Sequence, residues 1–142
     1  MKMDSPNQKK VIVIPCSGIG KAFGSIARDA TYEVTENLRK DGTQTLCLAL
    51  LVSGDEESLQ LVRNHKCITV DGCPLQCAEK NVKLAGGDLA GSVRVVDVYK
   101  ENRHLKPRGI TFLDPEGQQM ALALAEKIAK QVDNLVVGDN NG

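Results

Sequence analysis

Residues 11–14, Val-Ile-Val-Ile, form an unbroken β-branched run, the mark of a strand buried on both faces. Cys16-Ser17-Gly18-Ile19-Gly20 then reads as a turn. From Ile19, apolar residues recur at Phe23, Ile26, Ala27, Ala30, Val34 and Leu38, the period of an amphipathic helix. Gly42 suits the C-terminal stop of that helix. Residues 43–48 predict a second strand, followed by a loop through Ser53-Gly54. Asp55-Glu56-Glu57 places acid at the start of a short second helix, where the helix dipole favours it. Residues 66–70 predict a third strand. Pro74 suits a first helical position, so a third helix is expected over 74–85, stopped by Gly86-Gly87. Residues 93–98 predict the fourth strand, and 100–109 a basic, irregular stretch. Asp114-Pro115 then opens a last helix with Ala121, Leu124, Ala125, Ile128, Val132 and Leu135 on one face.

Strand and helix signals therefore alternate four times, with connections long enough for right-handed parallel crossovers. The expected fold is α/β: a three-layer sandwich around a four-stranded parallel sheet, flavodoxin-like or Rossmann-like, in the order 2-1-3-4. Residues 1–10 read as a polar N-terminal arm, 11–137 as one domain and 138–142 (Gly-Asp-Asn-Asn-Gly) as a frayed tail. Open sheets of this kind place ligands at the carboxyl ends of their strands, where the strand order reverses.

Composition narrows the function. Eighteen basic and eighteen acidic side chains leave the 142-residue chain without net charge, and there is no Trp among its few aromatics. Both facts argue against nucleic acid as a partner. The longest apolar run, 46–52, is far short of the ~20 residues that span a bilayer, so no membrane partner is expected. The apolar stretch behind the polar start is also too short for a secretory signal. A cytoplasmic location follows as the expectation. In that reducing setting five cysteines are a poor disulfide framework.

The cysteines fall where ligand sites form. Cys16 follows strand one, Cys47 lies late in strand two or at its end, Cys73 follows strand three, and Cys77 comes four residues later. Adjacent strands lie ~4.8 Å apart, and helical residues four apart share a face. The carboxyl edge can thus gather four sulfurs to within reach of tetrahedral zinc, with Zn–S of ~2.3 Å. A helix N-terminus stabilises thiolate at Cys73 and Cys77. Gly72 permits a tight turn, with positive φ as one option, and Asp71 can hold loop amides. Cys67 lies up to ~20 Å from Cys73 along an extended chain and reads as a buried small hydrophobe. Taken alone, Cys47 inside an apolar run is expected to be core.

Cys16-Ser17-Gly18, Cys47-Leu48-Ala49 and Asp71-Gly72-Cys73-Pro74-Leu75-Gln76-Cys77 together resemble the DGC family, named for its central Asp-Gly-Cys motif. The resemblance spans roughly residues 11–100. It implies a zinc-binding protein that uses four cysteines, here Cys16, Cys47, Cys73 and Cys77, and it implies no defined reaction. Leu51-Val52-Ser53-Gly54 departs from the more glycine-rich loop expected of the family.

Other chemistries compete for the same sulfurs. An iron–sulfur cluster also takes four cysteines, although the compact ferredoxin spacing is missing. Cys16 can instead act as a phosphocarrier, because residues 16–22 resemble the phosphate loop of sugar-phosphotransferase IIB domains. That loop would hold a small anion near Lys21. A Cys-x5-Arg phosphatase is excluded by Ala22, and a Walker loop by the glycine spacing. Cys73 and Cys77 can also serve thiol redox or sulfur transfer. His65 and His104 are isolated. The basic residues Lys100, Arg103, His104, Lys106 and Arg108 suit a solvated surface or a lid.

Overall fold

A computed structural model describes residues 10–16, 22–72, 75–109 and 112–141. Four strands, β1 (Val11–Pro15), β2 (Thr43–Thr45), β3 (Lys66–Asp71) and β4 (Asp88–Arg94), form one parallel sheet in the order β2-β1-β3-β4. This is the order expected from the sequence. Helix α1 (Ala22–Glu33) continues into a π-helical turn (Val34–Leu38). Helices α2 (Leu48–Val52) and α3 (Glu56–Asn64) lie between β2 and β3. Helix α4 (Cys77–Leu84) joins β3 to β4, and α5 (Val95–Glu101) and α6 (Pro115–Asn141) close the chain. Helices α1, α5 and α6 cover one face of the sheet, and α2, α3 and α4 the other.

The core explains this layering. Ile12, Val13, Ile14, Ile68 and Val70 are fully buried because β1 and β3 are central and covered on both sides. On one face they meet Ile26, Ala27 and Ala30 of α1 and Met120, Leu124 and Ile128 of α6. On the other they meet Val62 of α3 and Ala78 and Val82 of α4. Each large side chain buried this way stabilises the fold by about 1.5–3 kcal/mol.

Several elements differ from their predicted form. β2 ends at Thr45, and the apolar run after it coils into α2. Leu48 and Leu51, one turn apart, face the core while Leu50 and Val52 face solvent. The run 93–98 is also helical in most of its length, with Val95 and Val98 as the buried pair of α5. The fourth strand lies earlier, at Asp88–Arg94, and its half-exposed Asp-Leu-Ala-Gly-Ser-Val-Arg suits a sheet edge. The helix expected from Pro74 begins at Cys77. The backbone of α6 runs on through 138–141. Residues 1–9 of the predicted arm lie outside the described residues.

The basic stretch after α5 is pinned to the start of α6. Lys106 N–H donates to Glu116 Oε1 (3.2 Å) and Arg108 N–H to Asp114 Oδ1 (3.1 Å). Gly117 N–H donates to the same Asp114 oxygen (2.9 Å), and these amides hold the Asp114 carboxyl below its usual range. Leu105 is buried beneath them. The backbone is thus tethered at defined points, unlike a free lid.

Arg39, at the end of the π-helical turn, makes a two-pronged contact with Asp133 of α6, 2.7 Å on each prong. The Arg39 guanidinium draws the Asp133 carboxyl below its ordinary 3.8. A carboxyl depressed in the folded state contributes stability above its unfolded pKa and loses it as pH falls through the folded value. Arg39→Gln should therefore melt slightly below wild type at neutral pH. That gap should close as pH falls below 3.8, as a series of thermal melts would read. The effect is small because both groups are substantially exposed.

Candidate functional site

The strand order reverses between β1 and β3, so the carboxyl edge opens there. The register pairs Pro15 with Val70, which brings Cys16 beside the end of β3. Cys16 N–H donates to Val70 O (2.9 Å), extending the ladder by one bond. Gly72 N–H returns the contact, donating to Cys16 Sγ at 3.1 Å. Cys16 is buried, and its sulfur accepts the Gly72 amide proton.

Gly72 is required here by space. A Cβ on this residue would lie 2.7 Å from Phe23 O and 2.9 Å from Gly24 N, both backbone atoms of the first turn of α1. Its φ is not positive, so close approach, and not the positive-φ option, accounts for the glycine.

Asp71 is almost fully buried, and instead of holding loop amides it caps helix α4. Its two oxygens accept from Ala78 N–H (2.9 Å) and Glu79 N–H (3.2 Å), the first free amides of α4. Burial pushes the Asp71 carboxyl above its ordinary range, and the two amides pull the other way without overcoming it. The residue preceding the helix, Gln76, contributes no side-chain cap and sits in the left-handed region (φ 53, ψ 51). The segment therefore turns sharply before α4 and is held from beneath by Asp71. Cys77 is the first residue of α4, half-buried against the core. Cys73 itself lies outside the described residues, as does Lys21.

Cys47 stands two residues past β2 and precedes α2, with its backbone oxygen accepting from Leu50 and Leu51 N–H. It is exposed, which corrects the expectation that it belongs to the core. The chain leaves the sheet before Cys47, so its side chain is not committed to a sheet face. Cys47 and Cys16 both line a cleft between the ends of β1 and β2 and helix α1.

Cys67, also buried, donates where Cys16 accepts. It is buried in the lower half of β3, opposite Ile12. Its Sγ donates to the backbone oxygens of Val62 (3.5 Å) and His65 (3.4 Å), and burial pushes the thiol up to about 12. Its sulfur is thus committed to backbone oxygens in the core, away from the carboxyl ends of the strands. His65 contacts Leu61 O (3.1 Å) at the end of α3, away from this edge.

The donor set at the edge suits a soft metal ion. Thiolates are the ligands such an ion prefers, and Cys16, Cys47 and Cys77 each end or begin an element there. Among the described residues, no three His, Cys, Asp or Glu side chains already stand together as a metal cage. No helix among them is long and apolar enough to cross a membrane. The Arg28 and Tyr32 side chains in the wall of the cleft carried no signal in the sequence beyond their spacing on α1.

The model of the DGC domain matches residues 12–132, most of the chain. No curated protein and no solved structure matches it.

Proposed function

Because the chain belongs to the DGC domain family, we propose that it binds a thiophilic metal ion, zinc foremost, through Cys16, Cys47, Cys73 and Cys77. One observation carries the reading. The Gly72 amide lies 3.1 Å from Cys16 Sγ, and Cys73 is the next residue in the chain. The first and third cysteine motifs are thereby joined by a hydrogen bond at the point where the strand order reverses. Cys77 opens the helix that Asp71 caps, and Cys47 shares a cleft with Cys16.

Bound zinc would supply a cross-link among the ends of β1 and β2, the loop after β3 and the start of α4. Four protein thiolates leave no open position, so the ion is structural or regulatory. Its four thiolates carry a formal excess of about −2, which the Gly72 amide offsets in part.

Elemental analysis and a visible spectrum of freshly purified, reduced protein test this. The expected result is stoichiometric zinc without visible absorption, whereas an iron–sulfur cluster would be coloured. Cys16→Ser and Cys77→Ser should lose the metal, and Cys67→Ala should keep it. Chelation should lower the melting temperature of the wild type, because metal binding is coupled to folding. Reduced protein that holds no metal, and is neither bound nor stabilised by added zinc, would rule the reading out.

A further inference from the structure

The cleft shared by Cys16 and Cys47 has a second wall that zinc binding does not use. It measures about 400 Å³ and is closed on one side by Arg28 and Tyr32 of α1. These residues are four apart on the helix and so present neighbouring side chains. Arg28 is half-buried, and no carboxylate among the described residues pairs with it. Tyr32 is 45% exposed. A guanidinium and a phenol side by side offer a planar fork and an O–H donor, the donor set that recognises an oxyanion. The rest of the lining is mainly apolar, from Pro15, Leu46 and Leu48. A cleft with one charged group and apolar walls is the usual form of a small-molecule site.

We propose that this cleft binds a small organic oxyanion, a carboxylate or phosphate monoester with a short apolar body. The charged head sits on Arg28 and Tyr32, and the body lies toward Leu46 and Leu48. Its position places the ligand beside the sulfurs of Cys16 and Cys47, so metal loading and anion binding can influence each other. The inference does not require the metal. Arg28 and Tyr32 belong to neither the four cysteines nor the Asp71 cap.

Calorimetric titration with phenyl phosphate, benzoate, inorganic phosphate and neutral benzamide tests it, with zinc content measured on the same samples. Both aromatic anions should bind more tightly than inorganic phosphate and benzamide. The stronger of the two identifies phosphate or carboxylate as the head group. Arg28→Gln should weaken both by about tenfold or more, as expected for loss of a charge-assisted bidentate contact. Tyr32→Phe, which keeps the ring and removes only the hydroxyl, should weaken both by about threefold. Absence of anion binding to wild type at millimolar concentration would overturn the proposal. So would benzamide binding as tightly as the anions, or unchanged affinity in both variants. Zinc content that stays normal in Arg28→Gln while anion affinity falls separates this site from the metal reading. Metal-free protein that still binds the anions leaves this site standing if the metal reading fails.

Discussion

Gly72→Ala should lower the stability of this protein by about 3 kcal/mol or more, the top of the range for overpacking a core. The added methyl would meet Phe23 O at 2.7 Å, Phe23 C at 2.8 Å and Gly24 N at 2.9 Å. None is the tip of a flexible side chain. All belong to the first turn of α1, whose next turn carries the fully buried Ile26, Ala27 and Ala30. Relief therefore requires α1 to lift from the sheet or the β3–α4 turn to move away. The second route breaks the Gly72–Cys16 contact and disturbs the candidate metal site as well. Domains have only about 5–15 kcal/mol of net stability, so a loss of this size is a large fraction of the total. Gly42→Ala is the matched control, since a Cβ there meets nothing within 4 Å and φ is not positive. It should stay within about 0.5 kcal/mol of wild type. Urea denaturation of the three proteins reads the comparison. Equal midpoints for Gly72→Ala and wild type would show that the turn and α1 yield far more easily than their packing implies.

The same glycine shows what the sequence carries and what it leaves to tertiary structure. The central strands and the long helices were legible because their patterns are pure. Val11 to Ile14 is β-branched throughout, and the α1 and α6 stripes keep a 3.6-residue period. The strand order was legible from the alternation of elements together with the frequency of that topology. The runs at 46–52 and 93–98 were not, because a short apolar run fits a strand and a buried helical turn equally well. Here Leu48 with Leu51, and Val95 with Val98, have the spacing of one helical turn and bury together. The edge strand was missed because its alternating, half-exposed pattern is weaker than the apolar run that follows it. Of the site, the placement of Cys16 at a strand end and the isolation of Cys67 could be read from spacing alone. That a glycine follows Asp71 is visible in the sequence, but that it must be one, because of the backbone of α1, is not. Nor does any local pattern say that Arg28 and Tyr32 face the same cleft as Cys47. That juxtaposition arises only once β2 pairs with β1 and α1 packs over them.

Asp71→Ala should be the next most damaging change, by about 2–3 kcal/mol, and should act through α4. This helix has only eight residues and no conventional cap, since Gln76 precedes it in the left-handed region without a side-chain bond to its amides. The carboxylate of Asp71 fills that role from the end of β3, reaching Ala78 N–H and Glu79 N–H. Alanine would orphan both donors, and Ala78 is fully buried, so water cannot replace the lost acceptor without opening the packing. Loss of an ordinary cap costs about 0.5–2 kcal/mol, and a buried unsatisfied donor about 1–3 kcal/mol. Asp71→Asn separates the two contributions. Its side-chain oxygen can still accept from Ala78, but its amide group meets the Glu79 N–H donor to donor, so stability should fall between wild type and Asp71→Ala. Metal content should follow the same order, because Cys77 is held in place by the capped first turn that begins with it. Equal melting temperatures for wild type and Asp71→Ala would mean that α4 is fixed by Val82 and Ala78 packing alone. Loss of stability with unchanged zinc would instead confine Asp71 to the fold and detach it from the site.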